Sequence, residues 1–291
     1  MSGVRTVFLL TLLTMVLVVG ARLLGFGQTG MLVALGIGLA LNLANYWFSS
    51  KLILASYRAQ VLEPGSPEAA PYAWLIEDVT AMAAAAGLPA PKVAIIPNEA
   101  PNAFATGRNP ANAVVAATVG LLRTLDRRQV RAVMAHELGH VKNRDMLTMT
   151  LVAGAVSALG FLAGIARWTA FTGGGRRQDG GQQGPNALVL LAAAILAPLI
   201  AMLVQMAISR AREFGADEAG ARLSGDPNAL ADALERLHRA IPQAPNLTPV
   251  GTTAHLMIAN PFTGRSLGRL FSTHPDPAVR IQRLRAMAAG R

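Results

Sequence analysis

The sequence predicts a mainly helical protein with a small β-sheet, in which apolar helices of membrane-spanning length interrupt a polar domain. Three observations lead there. Apolar residues make up 52% of the 291 positions and charged residues only 14%, against about 45–50% and about 25% in ordinary soluble domains. The apolar excess falls into four stretches, each near the ~20 residues a helix needs to cross about 30 Å of hydrocarbon. The polar segments between and after them carry helix and strand periodicity.

The first stretch covers 4–24, with Arg5 and Arg22 near its ends. A cleaved signal peptide is the alternative, but the small-residue site around Gly20 and Ala21 is poor and a second stretch follows at once. That second stretch, 30–49, ends in Tyr46 and Trp47, residue types that settle at a membrane–water interface, and Lys51 follows. The third covers 146–168 and the fourth 187–208. Buried core helices are the alternative for both; their length and lack of interior charge favour spans. Residues 63–67, Glu-Pro-Gly-Ser-Pro, have linker chemistry.

A helical pattern over 71–86 is stopped by Gly87-Leu88-Pro89. Residues 92–96 predict a short strand, and 102–106 and 112–118 predict two more, separated by a turn at 107–110. A short helical stretch follows over 118–125, and Asp126 is placed to cap a helix running through His140. A glycine-rich loop, 173–181, joins the third and fourth stretches. The expected organisation is a transmembrane hairpin over 1–49, a polar domain in two parts over 50–145 and 209–291, and a second hairpin over 146–208.

Charge and cysteine content exclude several function classes. The formal net charge is +10, but the basic residues are dispersed and flank the apolar stretches rather than forming a patch with interleaved aromatics. A nucleic-acid partner is therefore not expected, and the positive-inside rule accounts for the charge. Lys51, Arg58, Lys142 and Arg144 place both polar segments on the cytoplasmic side; Arg176 and Arg177 count slightly against this. There is no cysteine, which rules out disulfides, thiolate nucleophiles and cysteine-held zinc. Any bound metal is held by histidine and carboxylate.

The chemistry concentrates in Ala135-His136-Glu137-Leu138-Gly139-His140, a His-Glu-x-x-His motif on a predicted helix. Residues four apart share a helical face, so two imidazoles converge on one zinc ion at about 2.0–2.1 Å. Glu137, one residue further round, reaches the attacking water as a general base without displacing either ligand. A catalytic zinc needs a third protein ligand and an open position. Glu213 and Asp217 share a face just after the fourth stretch: Glu213 can ligate, and Asp217 can fix a ligand imidazole by hydrogen bonding. The alternative is a pair of interfacial charges capping a membrane helix.

At this point the chain resembles the HtpX family of membrane-embedded zinc endopeptidases and the wider group that includes the CAAX prenyl proteases. The resemblance rests on Pro101-Asn-Ala-Phe-Ala-Thr-Gly107, on 135–140 followed by Asn143-Arg-Asp145, on Ser209-Arg-Ala-Arg-Glu-Phe-Gly-Ala-Asp217 and on Ser272-Thr-His-Pro275. It implies a zincin-like protease domain interrupted by four transmembrane helices. It also implies one zinc per chain held by His136, His140 and Glu213, with Glu137 as base. The implied role is proteolytic quality control of misfolded or damaged membrane proteins, in a bacterial inner membrane with the catalytic domain facing the cytoplasm. The expected partners are protein or peptide substrates and the lipid bilayer. Oligomeric state is not readable.

Two further assignments are expectations. His274 could polarise a tetrahedral oxyanion, or could simply cap a following helix. Asn102, Ala103 and Phe104 are expected to bind substrate along an edge strand, the alternative being an inner strand with Phe104 in the core. His238, on an amphipathic helical pattern, is structural, and His255 has no recognisable partner. A membrane protein that binds or transports zinc without hydrolysis is the rival function. It would be expected to carry ionisable ligands at mid-membrane, where this chain has only Asn42, Asn45 and Gln205.

Overall fold

The computed structural model describes residues 50–146, 206–240 and 275–290, the backbone of 187–205 with a few of its side chains, and isolated residues between 29 and 48 and at 148. The chain divides into two compact units, Met1–Tyr46 with Thr148–Gln205, and Trp47–Leu147 with Met206–Arg291. The second unit carries nearly all the described side chains.

The four membrane spans are not confirmed. Most of 4–24, 30–49 and 146–168 lies outside the described residues, as does the loop 173–181. Among the described residues no helix is long and apolar enough to cross a membrane. The fourth stretch and the polar segment after it, expected as separate features, form one helix, Ala187–Ser224.

The second unit begins with helix α1, described over 50–56 with 47 and 48 also helical. Strand β1 (Gln60–Val61) follows, then a 3-10 turn at Ala70–Tyr72 and helix α2 (Ala73–Ala85). The stop expected at Gly87 is a left-handed C-cap: Gly87 has φ 69, and the amides of Gly87 and Leu88 donate to the carbonyls of Ala84 and Ala83 at 3.0 and 2.9 Å. Strands β2 (Lys92–Ile96), β3 (Ala103–Thr106) and β4 (Val114–Thr118) come next. The turn between β3 and β4 needs Gly107, at φ 137, where any Cβ would run into the carbonyl oxygen of Asn112.

The four strands lie in the order β1-β2-β4-β3. β1 is antiparallel to β2, β2 is parallel to β4, and β3 is antiparallel to β4. β3 is thus an end strand. Both faces of the sheet are covered, which is why its strands are apolar throughout rather than alternating. Val93, Ile95, Ala103, Ala105, Val115 and Ala117 join the main core, while Ala94, Ile96, Phe104, Val114 and Ala116 form a second cluster under Ile53, Leu54 and Tyr57 of the α1 segment.

Helices α3 (Val119–Thr124) and α4 (Arg127–Lys142) complete the first part. Asp126 starts α4 with a full capping box: its carboxylate accepts from the Gln129 amide at 2.8 Å, and the Gln129 side chain accepts from the Asp126 amide at 3.2 Å. From Val130 to Gly139 every residue of α4 but Arg131 is buried, so its polar motif has been drawn into the core. The long helix Ala187–Ser224 is α5, followed by α6 (Pro227–Ala240) and α7 (Pro277–Ala288). An ion-pair network joins three of these elements: Arg128 reaches Asp226 and Asp232 at 2.6 and 2.8 Å, and Arg285 reaches Asp232 and Glu235 at 2.6 and 3.2 Å.

The capping box makes a direct stability prediction. Asp126→Ala should lower stability by about 1 kcal/mol and Asp126→Asn by less, because asparagine also accepts from the N3 amide. Thermal denaturation of the two variants beside the parent checks the order; equal loss in both would mean that charge, not capping, is what Asp126 contributes.

Candidate active site

The chemistry-bearing residues come from three helices that meet at one point. α4 supplies His136, Glu137 and His140; α5 supplies Glu213 and Asp217; α7 supplies Arg280. The two imidazoles lie edge to face with ring centroids 4.8 Å apart. Nε2 of His136 is 3.6 Å from Oε2 of Glu213, and Nε2 of His140 is 3.7 Å from Oε1 of the same carboxylate. One donor atom from each residue lies within 4.8 Å of the other two. Around a tetrahedral zinc with ligands at 2.0–2.1 Å, adjacent donors stand about 3.3–3.4 Å apart. The three donors fit one such ion with small adjustments.

Each imidazole has its own carboxylate behind it. Nδ1 of His140 bonds Oδ2 of Asp145 at 2.7 Å. Arg144 stands between them in the left-handed region, φ 55, a strained conformation that turns the chain back after α4 and returns Asp145 to the helix end. Arg212 stands 3.3 Å from the other Asp145 oxygen. Nδ1 of His136 is 3.0 Å from Oδ1 of Asp217. Each Nδ1 thus faces a carboxylate, hydrogen-bonded in His140 and in ion-pair contact in His136, and each Nε2 faces the Glu213 carboxylate.

Arg280 holds the acid cluster together. It is 2% exposed and forks onto Asp217, with Nε to Oδ2 at 2.8 Å and a terminal nitrogen to Oδ1 at 2.7 Å. Its other terminal nitrogen is 3.1 Å from Oε2 of Glu213. Burial pushes the Asp217 carboxyl up, but the charge of Arg280 and the bonds from His136 and Arg280 outweigh it and hold the pKa at about 2. Burial likewise disfavours a charged His136, yet the neighbouring Asp217 overrides it and raises that imidazole.

Counting charge gives a second test of fit. Glu137, Asp145, Glu213 and Asp217 are all buried in this cluster. The guanidinium groups of Arg280 and Arg212 oppose them, so four carboxyl groups face two guanidinium groups. That excess of acidic groups in a buried setting suits a cation held between the three donors.

The ligands meet because α4 and α5 touch backbone to backbone. A Cβ on Gly220 would stand 2.7 Å from both N and Cα of His136, and one on Gly139 would stand 2.9 Å from the Ala216 carbonyl oxygen. Residues 216 and 220 are one turn apart on α5, as are 135 and 139 on α4, so the two helices lie in each other's side-chain-free grooves. Any larger residue would separate the helices and carry Glu213 away from the histidines.

β3 lies against α4 with its outer edge unpaired within the sheet. The Thr118 amide donates to the Asn102 carbonyl at 2.9 Å, and Cα partners run 103 with 117 to 106 with 114. In an antiparallel ladder bonded residues alternate, so 102, 104 and 106 bond inward to β4 while the amides and carbonyls of Ala103 and Ala105 face away from it, along a strand that is buried throughout. Thr118 fixes the start of this strand: its hydroxyl accepts from the Asn102 amide at 2.9 Å and donates to the Ala100 carbonyl at 2.9 Å. Phe104 points away from α4 into the second cluster, its ring 5.6 Å from that of Tyr57. Asn102 is buried at 3% exposure.

Of the residues singled out from sequence, His136, Glu137, His140, Glu213 and Asp217 are gathered here, and Asn102 and Ala103 lie on the strand beside α4. Phe104 does not face that helix. His238 is exposed on α6. His274 and His255 lie outside the described residues. Arg280, Asp145 and Thr118 were not predicted as site residues.

Comparison with known proteins agrees with this geometry. The model of peptidase family M48 matches residues 69–288. The chain belongs to this family. M48 relatives named "Protease HtpX homolog" include one from Syntrophobacter fumaroxidans, 49% identical over 98% of this chain and 99% of its own length. Another, from Thermococcus sibiricus, is 48% identical over 98% of this chain and 95% of its own length. Among solved structures, Ste24p of S. mikatae superposes with a TM-score of 0.58 at 17% identity. That match covers 94% of this chain and 62% of the Ste24p chain, and it establishes a shared fold. The M48 match takes in every gathered site residue, from Asn102 to Arg280.

The helix contact is testable in this M48 chain. Gly220→Ala should leave a protein that holds well under one zinc per chain, because the added methyl meets the His136 backbone. Atomic absorption on the monodisperse fraction measures it; full zinc content with unchanged activity would show that the helices need not touch.

Proposed function

We propose that this chain is a zinc endopeptidase, anchored in a bacterial inner membrane, that cuts misfolded or damaged membrane proteins from the cytoplasmic side. The observation that carries the reading is the convergence of His136, His140 and Glu213 on one point, with Glu137 buried beside them on the same helix. Family membership supports peptide hydrolysis. The apolar stretches and the Lys/Arg flanks support the membrane location and its sidedness.

His136, His140 and Glu213 would hold the zinc. When bound, that ion polarises a substrate carbonyl and lowers the pKa of a coordinated water to about 7. The rest is done by side chains and backbone. Glu137 takes the proton of the attacking water and delivers it to the leaving amine nitrogen. Asp145 and Asp217 hold the two imidazoles in one orientation, so that Nε2 of each stays committed to the metal. Arg280 keeps Asp217 ionised in a buried setting and pairs with Glu213.

Substrate is held as an extended strand along β3. The amides and carbonyls of Ala103 and Ala105 pair with its backbone, which fixes its path beside α4 without reading its side chains. This suits an enzyme that must accept many damaged sequences. Phe104 supports the strand from the opposite face.

A metal-binding protein without hydrolysis would keep the three donors but has no use for Glu137 as an unligated carboxylate beside them. Glu137→Gln separates the two functions. The variant should keep one zinc per chain and lose casein cleavage by at least about 100-fold, the scale of lost general-base catalysis. Retained cleavage at full zinc content would remove Glu137 as the base, and cleavage absent from the zinc-loaded parent would remove the peptidase reading itself.

A further inference from the structure

Helix α1 has two apolar faces. Ile53, Leu54 and Tyr57 point inward onto the second cluster. On the opposite side Trp47, Phe48 and Leu52 are 52%, 54% and 61% exposed, together with Lys51, Ala55 and Ser56. A helix buried on one side that shows three large apolar side chains on the other requires an apolar neighbour there.

The order of residues along the helix says what that neighbour is. The outer face passes from Trp47 and Phe48 through Lys51 and Leu52 to Ala55, Ser56 and then Arg58, over about 14 Å at 1.5 Å per residue. A protein partner would match a patch; a polarity gradient along the axis, aromatic at one end and cationic at the other, matches the headgroup layer of a bilayer. The cations at the boundary, Lys51, Arg58 and Arg108, select anionic headgroups.

Arg108 connects this face to β3. Its guanidinium lies 4.3 Å from the centroid of the Trp47 ring. It follows Gly107 at the end of β3, in a turn that is rigid: Gly107 tolerates no side chain, and Asn109 accepts from the Asn112 amide at 3.0 Å. The end strand of the sheet is thus followed by a residue stacked against the outward-facing tryptophan.

We infer that the outer face of residues 47–58, with Arg108, is a headgroup-level docking surface for an anionic phospholipid bilayer, and that the Arg108–Trp47 contact couples that surface to β3. This rests on the membrane-anchored peptidase reading. Bound headgroups hold Arg108 and Trp47 together, which fixes the end of β3 where substrate pairs. Anionic lipid therefore acts on substrate affinity rather than on the chemical step.

The test uses the full-length, zinc-loaded chain in vesicles of phosphatidylcholine with or without phosphatidylglycerol. In a Trp74→Phe, Trp168→Phe background, Trp47 emission should be quenched more by lipid brominated near the headgroup end of the acyl chains than near their tips. Anionic lipid should lower KM for a soluble peptide about fivefold, the effect of one basic residue at a charged surface, and Arg108→Gln should lose that effect. Trp47 unquenched in vesicle-inserted protein, or quenched most from the chain tips, overturns the docking surface. A KM indifferent to lipid charge, or lowered equally by free inorganic phosphate, overturns the coupling. Recovery of the chain as a soluble protein without lipid would instead refute the membrane reading on which the inference stands.

Discussion

The site depends on the contact between α4 and α5. Two helices that meet through ordinary side chains lie 8–10 Å apart; here Gly139 and Gly220 remove the side chains at the crossing, and the backbones themselves meet. That proximity sets where Glu213 stands. One helical turn beyond it, Asp217 reaches Nδ1 of His136, and two turns beyond it Gly220 meets the His136 backbone. The proposed metal donor, the carboxylate beside His136 and the helix contact are therefore one periodic face of α5. None can move without the others.

Bringing the helices so close concentrates acid in a dry space, and the structure answers with a cation rather than with protonation. Arg280 serves better than lysine would: its planar fork satisfies both Asp217 oxygens and still reaches Glu213. Asp217 consequently stays ionised far below neutral pH. α7, which carries Arg280, is held from outside by the Arg285 pairs to Asp232 and Glu235 and packs its buried Leu284 into the core. Exposed pairs of this kind each contribute little, but as a shared network with Arg128 they fix the position of a helix whose inner residue, Arg280, pairs with Asp217 and Glu213.

What the sequence revealed was whatever chemistry is written at helical spacing. His136, Glu137 and His140 lie within two turns, and their helix start was readable from Asp126. Glu213 and Asp217 share a face by the same rule, although resemblance was needed to single out Glu213 as a ligand. Asp145 was harder. Five residues past His140, it reaches that ring only because Arg144 adopts a left-handed conformation, which residue type does not announce. Arg280 was invisible, since its partner Asp217 is 63 positions away and no local pattern marks a buried arginine. Strand β3 was legible as a strand, but its place at the sheet end follows from the order β1-β2-β4-β3, which periodicity does not encode. Phe104 shows the limit within one strand: alternation separates it from Ala103 and Ala105, but does not say which face meets α4.

In the proposed site one zinc is held by two imidazoles from α4 and one carboxylate from α5. X-ray absorption at the zinc edge of the loaded protein reads this set directly. Two imidazole nitrogens at about 2.0–2.1 Å are expected, with the remaining scattering from oxygen, and in Glu213→Ala a spectrum in which the protein oxygen is lost while both imidazoles persist. A site with three imidazoles, or a ligand set unchanged by removing Glu213, would contradict it.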